Sequence, residues 1–327
     1  MNNKTTFNIV CPIYKPLDEC DKLSLKSLFD TIGGNKMVYN GIEYTIPKYD
    51  VYFIMPAFES TANNDANYPE YYTSLINYIT KELHILYIGL NYIHDKETNG
   101  FRIQFMDKKY FESIYSYSNM LLQDWFYKEW LALGYKYTYL YQTDCYIFED
   151  KLQEFVDYGF DYIASPIIAT NSDWGQYGCY VGNGGFSLRN NRTFMKALYR
   201  ESKHWTNHKD ELENTHLPKN SDKKYIDFED IFICKLLSRY TYINIAPIDI
   251  AYQFCWDRNA DVCYERSNNK PPMACHQWLL QYKFYNHFIP EINTNTKIQK
   301  ICSSKLEQFN NAYHPEEQGY GNLIIPS

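Results

Sequence analysis

The stretch 137–148, YTYLYQTDCYIF, most constrains what this chain can fold into. It begins as an unbroken apolar and aromatic run, the pattern of a strand buried on both faces of a sheet. Gln142, Thr143 and Asp144 interrupt the run, and apolar residues then resume. A polar triplet directly behind such a strand falls at its carboxyl end, where open α/β sheets bind ligands. A carboxylate there can hold a divalent ion, and the ion can hold a diphosphate. The same Asp144 also suits a plain cap on the turn that follows.

The flanking sequence supplies partners for that strand. Residues 7–14, FNIVCPIY, read as a second buried strand. Residues 18–32 read as a helix, with Leu25, Leu28, Phe29 and Ile32 at spacings of three and four and Gly33-Gly34 as the stop. Residues 50–55 read as a third strand. Strand, helix, strand at this spacing opens a βαβ unit and a parallel sheet. Further on, 71–83 reads as a helix and 101–106 as a strand. Between them ILYIGLNYI has strand character and DKETNG reads as a turn. Residues 117–133 read as one helix, with Leu122, Trp125, Phe126, Trp130 and Leu133 on one face and Gly134 at its end. A short helix from Asp150, with Gln153 as its capping-box partner and Gly159 at its end, and a strand over 160–165 follow.

Residues 58–68 and 171–180 read as polar loops. Helices are expected at 191–203 and 227–239, and a strand at 242–247. The hydrophilic segment 204–225 has the length of a lid or an insertion, and 207–224 is placed to close over a ligand. From Pro290 onward the chain is polar with little periodicity. The expected organisation is one α/β domain over 1–290, with a mostly parallel mixed sheet flanked by helices. A polar tail over 291–327 would pack on it or extend from it.

Composition narrows the function classes. Hydrophobic residues make up 45% of the 327, enough for a sizeable core. A net charge of -7 speaks against a nucleic-acid binder, which needs cations to neutralise phosphates, and against a basic membrane patch. The 34 tyrosines suit wet, amphipathic partners such as carbohydrate; a low-GC coding bias accounts for them equally well. Nine cysteines, an odd number without any C-x-x-C pair, point to a reduced thiol protein. No signal peptide or membrane span is expected, so the predicted location is the cytoplasm, or the inner face of a membrane as a peripheral protein.

Three more stretches carry chemistry. Residues 182–185, GNGG, let backbone approach a ligand closely or simply make a tight turn. Glu229 and Asp230 open a helix, where acids are favourable for structural reasons alone and where one can also serve as a general base. His276, within CHQW, is a competent metal ligand or a core histidine, and Trp278 beside it can stack on a sugar or pack in the core.

In this order the stretches resemble the motifs of GT-A-type nucleotide-sugar glycosyltransferases, over roughly residues 7–280. Gln142-Thr143-Asp144 stands where that family has its D-x-D-like metal motif. GNGG matches the glycine loop, Glu229-Asp230 the x-E-D motif, and His276 the C-terminal histidine. The wording YQTD, GNGGFSLR, ED and CH is also similar to a sparsely characterised microbial and viral branch classed with these enzymes. The resemblance implies a Rossmann-related fold and transfer of a sugar from a nucleoside-diphosphate sugar to a hydroxyl acceptor, such as a growing surface polysaccharide. It implies that Asp144 and His276 hold Mn²⁺ or Mg²⁺ and that Pro12, Ile13 and Tyr14 meet the nucleotide. Asp230 would be the base of an inverting reaction. Glu229, or the loop Asn183, Gly184 and Gly185, would position sugar or acceptor. Gln142 departs from the family pattern by contributing no charge, which implies metal binding that depends on the donor diphosphate, or none. Two other classes stay open: a sugar nucleotidyltransferase, although CPIYKPLDE lacks the usual basic glycine loop, and a non-catalytic binding protein on the same fold.

Overall fold

A computed structural model describes residues 6–58, 68–88, 99–166, 168, 181–207, 229–230, 233, 240 and 242–312. Its first strand, β1 (Phe7–Pro12), is buried throughout, as the apolar run requires. Helix α1 (Glu19–Ile32) follows. Asp18 caps it by accepting from the amides of Cys20 and Asp21, and Asp21 returns the bond to the Asp18 amide at 3.0 Å. Between α1 and the next core strand lies a hairpin that sequence pattern did not reveal, β2 (Gly33–Tyr39) and β3 (Ile42–Pro47). Its strands are mostly exposed, so no apolar periodicity marks them. β4 (Asp50–Pro56), α2 (Glu70–Asn77) and β5 (Phe101–Met106) come next.

The expected single helix over 117–133 is two helices, α3 (Ile114–Leu121) and α4 (Asp124–Ala132). Gln123 turns to an extended conformation between them. The break lets Met120 and Leu121 of one helix and Phe126 and Trp130 of the other enter the same core, which a straight axis would not allow. β6 (Tyr137–Tyr141) is the central strand, fully buried. The turn at 142–145 leads to β7 (Tyr146–Ile147) and then α5 (Leu152–Asp157). Here the expected cap fails: Gln153 donates to Asp157, while Asp150 accepts from Lys48 and Tyr49. The strand expected over 160–165 is two stubs, β8 (Tyr162–Ile163) and β9 (Ser165–Pro166). β10 (Val181–Gly182), β11 (Phe186–Asn190) and α6 (Asn191–Asn207) follow. Residues 242–247 form only an isolated bridge, Ile245 to Tyr162, in place of a strand.

The sheet order is β5-β4-β1-β6-β11-β8. β5, β4, β1 and β6 are mutually parallel, and β11 runs antiparallel to β6 and β8. The fold is therefore mixed α/β with a mostly parallel sheet, as expected. The chain steps from β1 to β4 and β5 on one side, then crosses back to place β6 on the other side of β1. Such a switch point opens a crevice at the carboxyl ends of the two strands it separates. Those ends carry Pro12 and Gln142.

Alternating side chains of β1 divide the core. Ile9 and Cys11 pack with α1 and α2, and Val10 packs with α3, α4 and α6. A third cluster shows how the described part of the tail, up to residue 312, packs on the domain. Residues Pro290–Thr294 and Thr296–Ala312 are helical. Ile292, Ile298 and Cys302 bury against Cys20 and Leu23 of α1, and against Trp256 and Trp278. The apolar stripe is thin, so composition hid it. The seven described cysteines are buried thiols. No helix among the described residues is long and apolar enough to cross a membrane. The expected loops over 58–68 and 171–180, the segment 207–224, the second half of ILYIGLNYI and the turn DKETNG lie largely outside the described residues.

Candidate functional site

Three distant chain segments meet at the carboxyl end of β6. The turn after β6 brings Gln142, Thr143 and Asp144. β11 begins beside that end, and the Gln142 amide donates to the Gly185 carbonyl at 3.0 Å. A small second sheet, β12 (Cys255–Trp256), β13 (Ala274–Cys275) and β7, supplies the third segment. Cys275 pairs with both Tyr146 and Trp256, which fixes His276 immediately after β13.

His276 is buried and is the hub of the cluster. Its Nε2 lies 3.2 Å from Asp144 Oδ1 and 3.2 Å from Gln142 Oε1. Its Nδ1 lies 3.1 Å from Asp257 Oδ1. Burial alone would lower the imidazole pKa, but the carboxylates of Asp144 and Asp257 raise it to about 10. The ring is therefore an imidazolium at neutral pH when nothing else sits there. Asp257 is itself fixed. Asn183 Nδ2 donates to its Oδ2 at 2.6 Å, and Gln281 donates to its backbone carbonyl. Burial works against the Asp144 carboxylate, yet the charge of His276 holds its pKa below the ordinary value.

The glycines are there for room. A Cβ on Gly185 would fall 2.1 Å from His276 Nε2, and one on Gly184 would fall 2.0 Å from Glu229 Oε1. No side chain fits at either place. Asn183 before them takes a left-handed φ of 69°, which Asn tolerates, and accepts from the Gly185 amide. The GNGG stretch is thus a wall packed against two of the other candidate residues.

Glu229 is buried in an ion pair with Arg189, Nη2 to Oε1 at 3.2 Å, and accepts from Ser118 at 3.3 Å. Arg189 is completely buried and also donates to Tyr127 and Ser187. Asp230, next on the same helical segment, is half-buried. Across the crevice, Ile13 is tied to β4 through the Ile54 carbonyl, while Tyr14 projects with 55% of its surface exposed. Thr143 donates to Asp21 Oδ1 at 2.6 Å, so the turn after β6 is pinned to the first turn of α1. The structure therefore brings Gln142, Asp144, Asn183, Gly184, Gly185 and His276 into one cluster, with Glu229 against its glycine wall. Thr143 faces α1, and Pro12, Ile13 and Tyr14 line the neighbouring strand end.

Two polar atoms at this site are buried without a hydrogen bond of normal geometry, Asp144 Oδ1 and Tyr117 Oη. Asp144 Oδ1, whose neighbour is the His276 ring, can take a further partner there. The donor set fits a divalent ion. Asp144 Oδ1 and Gln142 Oε1 each stand from His276 Nε2 at about the 3 Å spacing of neighbouring corners in a small octahedral shell. Asp257 on Nδ1 leaves Nε2 as the ligating nitrogen, the usual outer support for a metal-bound histidine. Cys145 is close, within 4.8 Å of the Asp144 and His276 ligand atoms. Burial and the nearby Asp144 keep it a protonated thiol, and it donates to the Gly185 carbonyl, so it belongs to the packing.

Sequence reasoning missed Asp257, Arg189 and Tyr117. The only sequence signal for Asp257 was an acid directly after the apolar pair Cys255-Trp256. Arg189 and Tyr117 carried none.

Among solved structures, the chain is similar to the galactosyltransferase LgtC in complex with donor and acceptor sugar analogues. The identity is 11% and the TM-score 0.44, over 82% of this chain and 86% of that one. An active-site mutant of LgtC gives 12% and 0.43, over 82% and 86%. Mouse xyloside xylosyltransferase 1 in its apo form gives 9% and 0.46, over 83% and 97%. At these values the likeness is one of chain path, and the reading of the site rests on its own geometry. No curated protein matches the sequence. Residues 100–276, more than half of the chain, match a family model described as a protein of unknown function, DUF5672, and this chain belongs to that family.

Proposed function

We propose that this chain is a glycosyltransferase that moves a sugar from a nucleoside-diphosphate sugar to a hydroxyl acceptor, such as a glycan in surface polysaccharide synthesis. The observation that carries the reading is the convergence of Asp144 Oδ1 and Gln142 Oε1 on His276 Nε2 at the switch point of the sheet. It combines an anion, a neutral oxygen and an imidazole at the place where α/β sheets take nucleotides.

In this reading Tyr14 lies along the nucleoside, with Pro12 and Ile13 forming the floor. Asp144, His276 and Gln142 would hold Mg²⁺ or Mn²⁺. The bound ion would neutralise charge on the diphosphate as the bond to the sugar breaks. One anionic ligand makes a weak site, so the ion and the donor bind together. Asn183, Gly184 and Gly185 shape the sugar pocket. Glu229, neutralised by Arg189, is a positioning group. Asp230 is the base: it takes the acceptor hydroxyl proton as that oxygen attacks the anomeric carbon and the nucleoside diphosphate departs, inverting the centre. A cytoplasmic location, at or near a membrane carrying the acceptor, suits this role.

Thermal-shift screening with UDP, GDP, CMP and their sugar conjugates, each with and without Mn²⁺, tests the reading. One nucleotide should raise the melting temperature only with Mn²⁺, and Asp144→Ala should abolish that shift. A shift indifferent to metal would remove the metal role from Asp144 and His276. No shift with any of them would overturn the donor assignment.

A further inference from the structure

The C-terminal helix, Thr296–Ala312, places a lysine where a helix of this kind should carry an apolar residue. Its inward stripe runs Ile298, Cys302, Lys305 and Phe309, at steps of four, three and four. Ile298 and Cys302 are buried in the cluster that also holds Cys20 of α1. Phe309 lies under the guanidinium of Arg258, 5.0 Å from its ring centre. Cys20 is next but one after Asp18, the cap of α1, and Arg258 follows Asp257, the partner of His276. Lys305 thus sits between contacts with chain neighbours of Asp18 and of Asp257.

Lys305 is half-buried, and among the described residues it has no ion-pair partner. Its charge nevertheless acts on both Asp18 and Asp144. The other cations there are committed: Lys15 pairs with Asp18 and Asp21, and His276 stands between Asp144 and Asp257. Ordering a lysine in an inward stripe without a partner is unfavourable unless an anion arrives.

We propose that the C-terminal helix is part of the donor site and that Lys305 binds the diphosphate of the donor. This rests on the nucleotide-sugar reading above and extends it to a segment outside the matched family range. The ammonium would contact the phosphate oxygens and would hold the nucleoside diphosphate as it leaves. Lysine serves as a compact point charge in such contacts.

The test is calorimetric titration of the full chain with inorganic pyrophosphate plus Mn²⁺, and with the nucleotide that gave the largest thermal shift. Lys305→Gln should weaken both by about ten- to a hundredfold, the loss of one charge-assisted contact. Lys305→Arg should restore most of the affinity. Lys300→Gln, on the exposed face of the same helix, should leave both unchanged. Circular dichroism should show the same melting curve for the unliganded variants. Wild-type affinity in a folded Lys305→Gln protein would overturn the lysine contact and leave the donor site standing. No binding by the wild type would overturn both. A matching loss in Lys300→Gln would reduce the effect to net charge and overturn it too.

Discussion

The two ends of the central sheet each carry an acid beside a cation, buried at one end and partly open at the other. At the amino ends, Asp50 opens β4 and forms an ion pair with Arg102 of β5, both nearly inaccessible. Tyr135, just before β6, donates to its second oxygen at 2.5 Å, and Tyr52 bonds to Tyr135 at 3.1 Å. Arg102 also lies over the Tyr52 ring. Both oxygens of this carboxylate are partnered. At the carboxyl ends, Asp144 also meets a cation, but its Oδ1 has no hydrogen bond, and Tyr117 beside the site has none either. The Asp50 carboxylate is closed over by protein partners on both oxygens, whereas about a third of the Asp144 side chain is open to solvent and can meet a ligand. Charge alone does not separate the two; burial and the partners of the carboxylate do.

The comparison can be broken most strongly at the closed end. Arg102→Ala leaves the Asp50 carboxylate buried and uncompensated, which should cost about 3–5 kcal/mol in urea unfolding. The melting shift caused by nucleotide and Mn²⁺ should survive wherever the variant is folded. If stability hardly moves, the cluster is not the structural element described here.

Next in size is Gly185→Ala, which drives a methyl into His276. Overpacking of this kind should cost about 1–3 kcal/mol. It should also abolish the metal-dependent ligand shift, the reverse of the Arg102→Ala pattern. Retention of that shift would mean that His276 does not need its present position.

The gentlest probe is pH. The folded state raises the His276 pKa to about 10 from the ordinary 6.5. Its contribution to stability is fully present below about pH 6.5 and is lost as the pH rises toward 10. Unfolding free energy without metal should therefore fall across that window in the wild type and fall less in His276→Gln. Manganese binding displaces the same proton, so affinity should rise between pH 6 and 8. A flat affinity profile would place the metal, if it binds, away from His276.

What could be read without coordinates was whatever a residue's near neighbours encode. β1, β4 and β6 announce themselves as apolar runs, because a strand covered on both faces has no room for alternation. Helix α1 shows its stripe and its cap within one stretch of chain. Asp144 and His276 stood out because acids and imidazoles are rare inside apolar runs, so their types alone marked them. The exposed hairpin β2–β3, the break between α3 and α4, and the C-terminal helix were not legible. Their patterns are thin, or are set by what the other side of the core demands.

The tertiary structure alone decided which groups meet. Asp257 reaches His276 through the pairing of two-residue strands, too short to leave a periodic trace. Arg189 lies inside a strand that reads as core, and only the helix carrying Glu229 explains its charge. Lys305 is one lysine among many until the packing of its helix leaves it half-buried between Cys302 and Phe309. Local sequence dictates which faces of an element seek burial. Which buried polar groups are left without partners depends on the whole path of the chain, and that is where this protein's candidate chemistry lies.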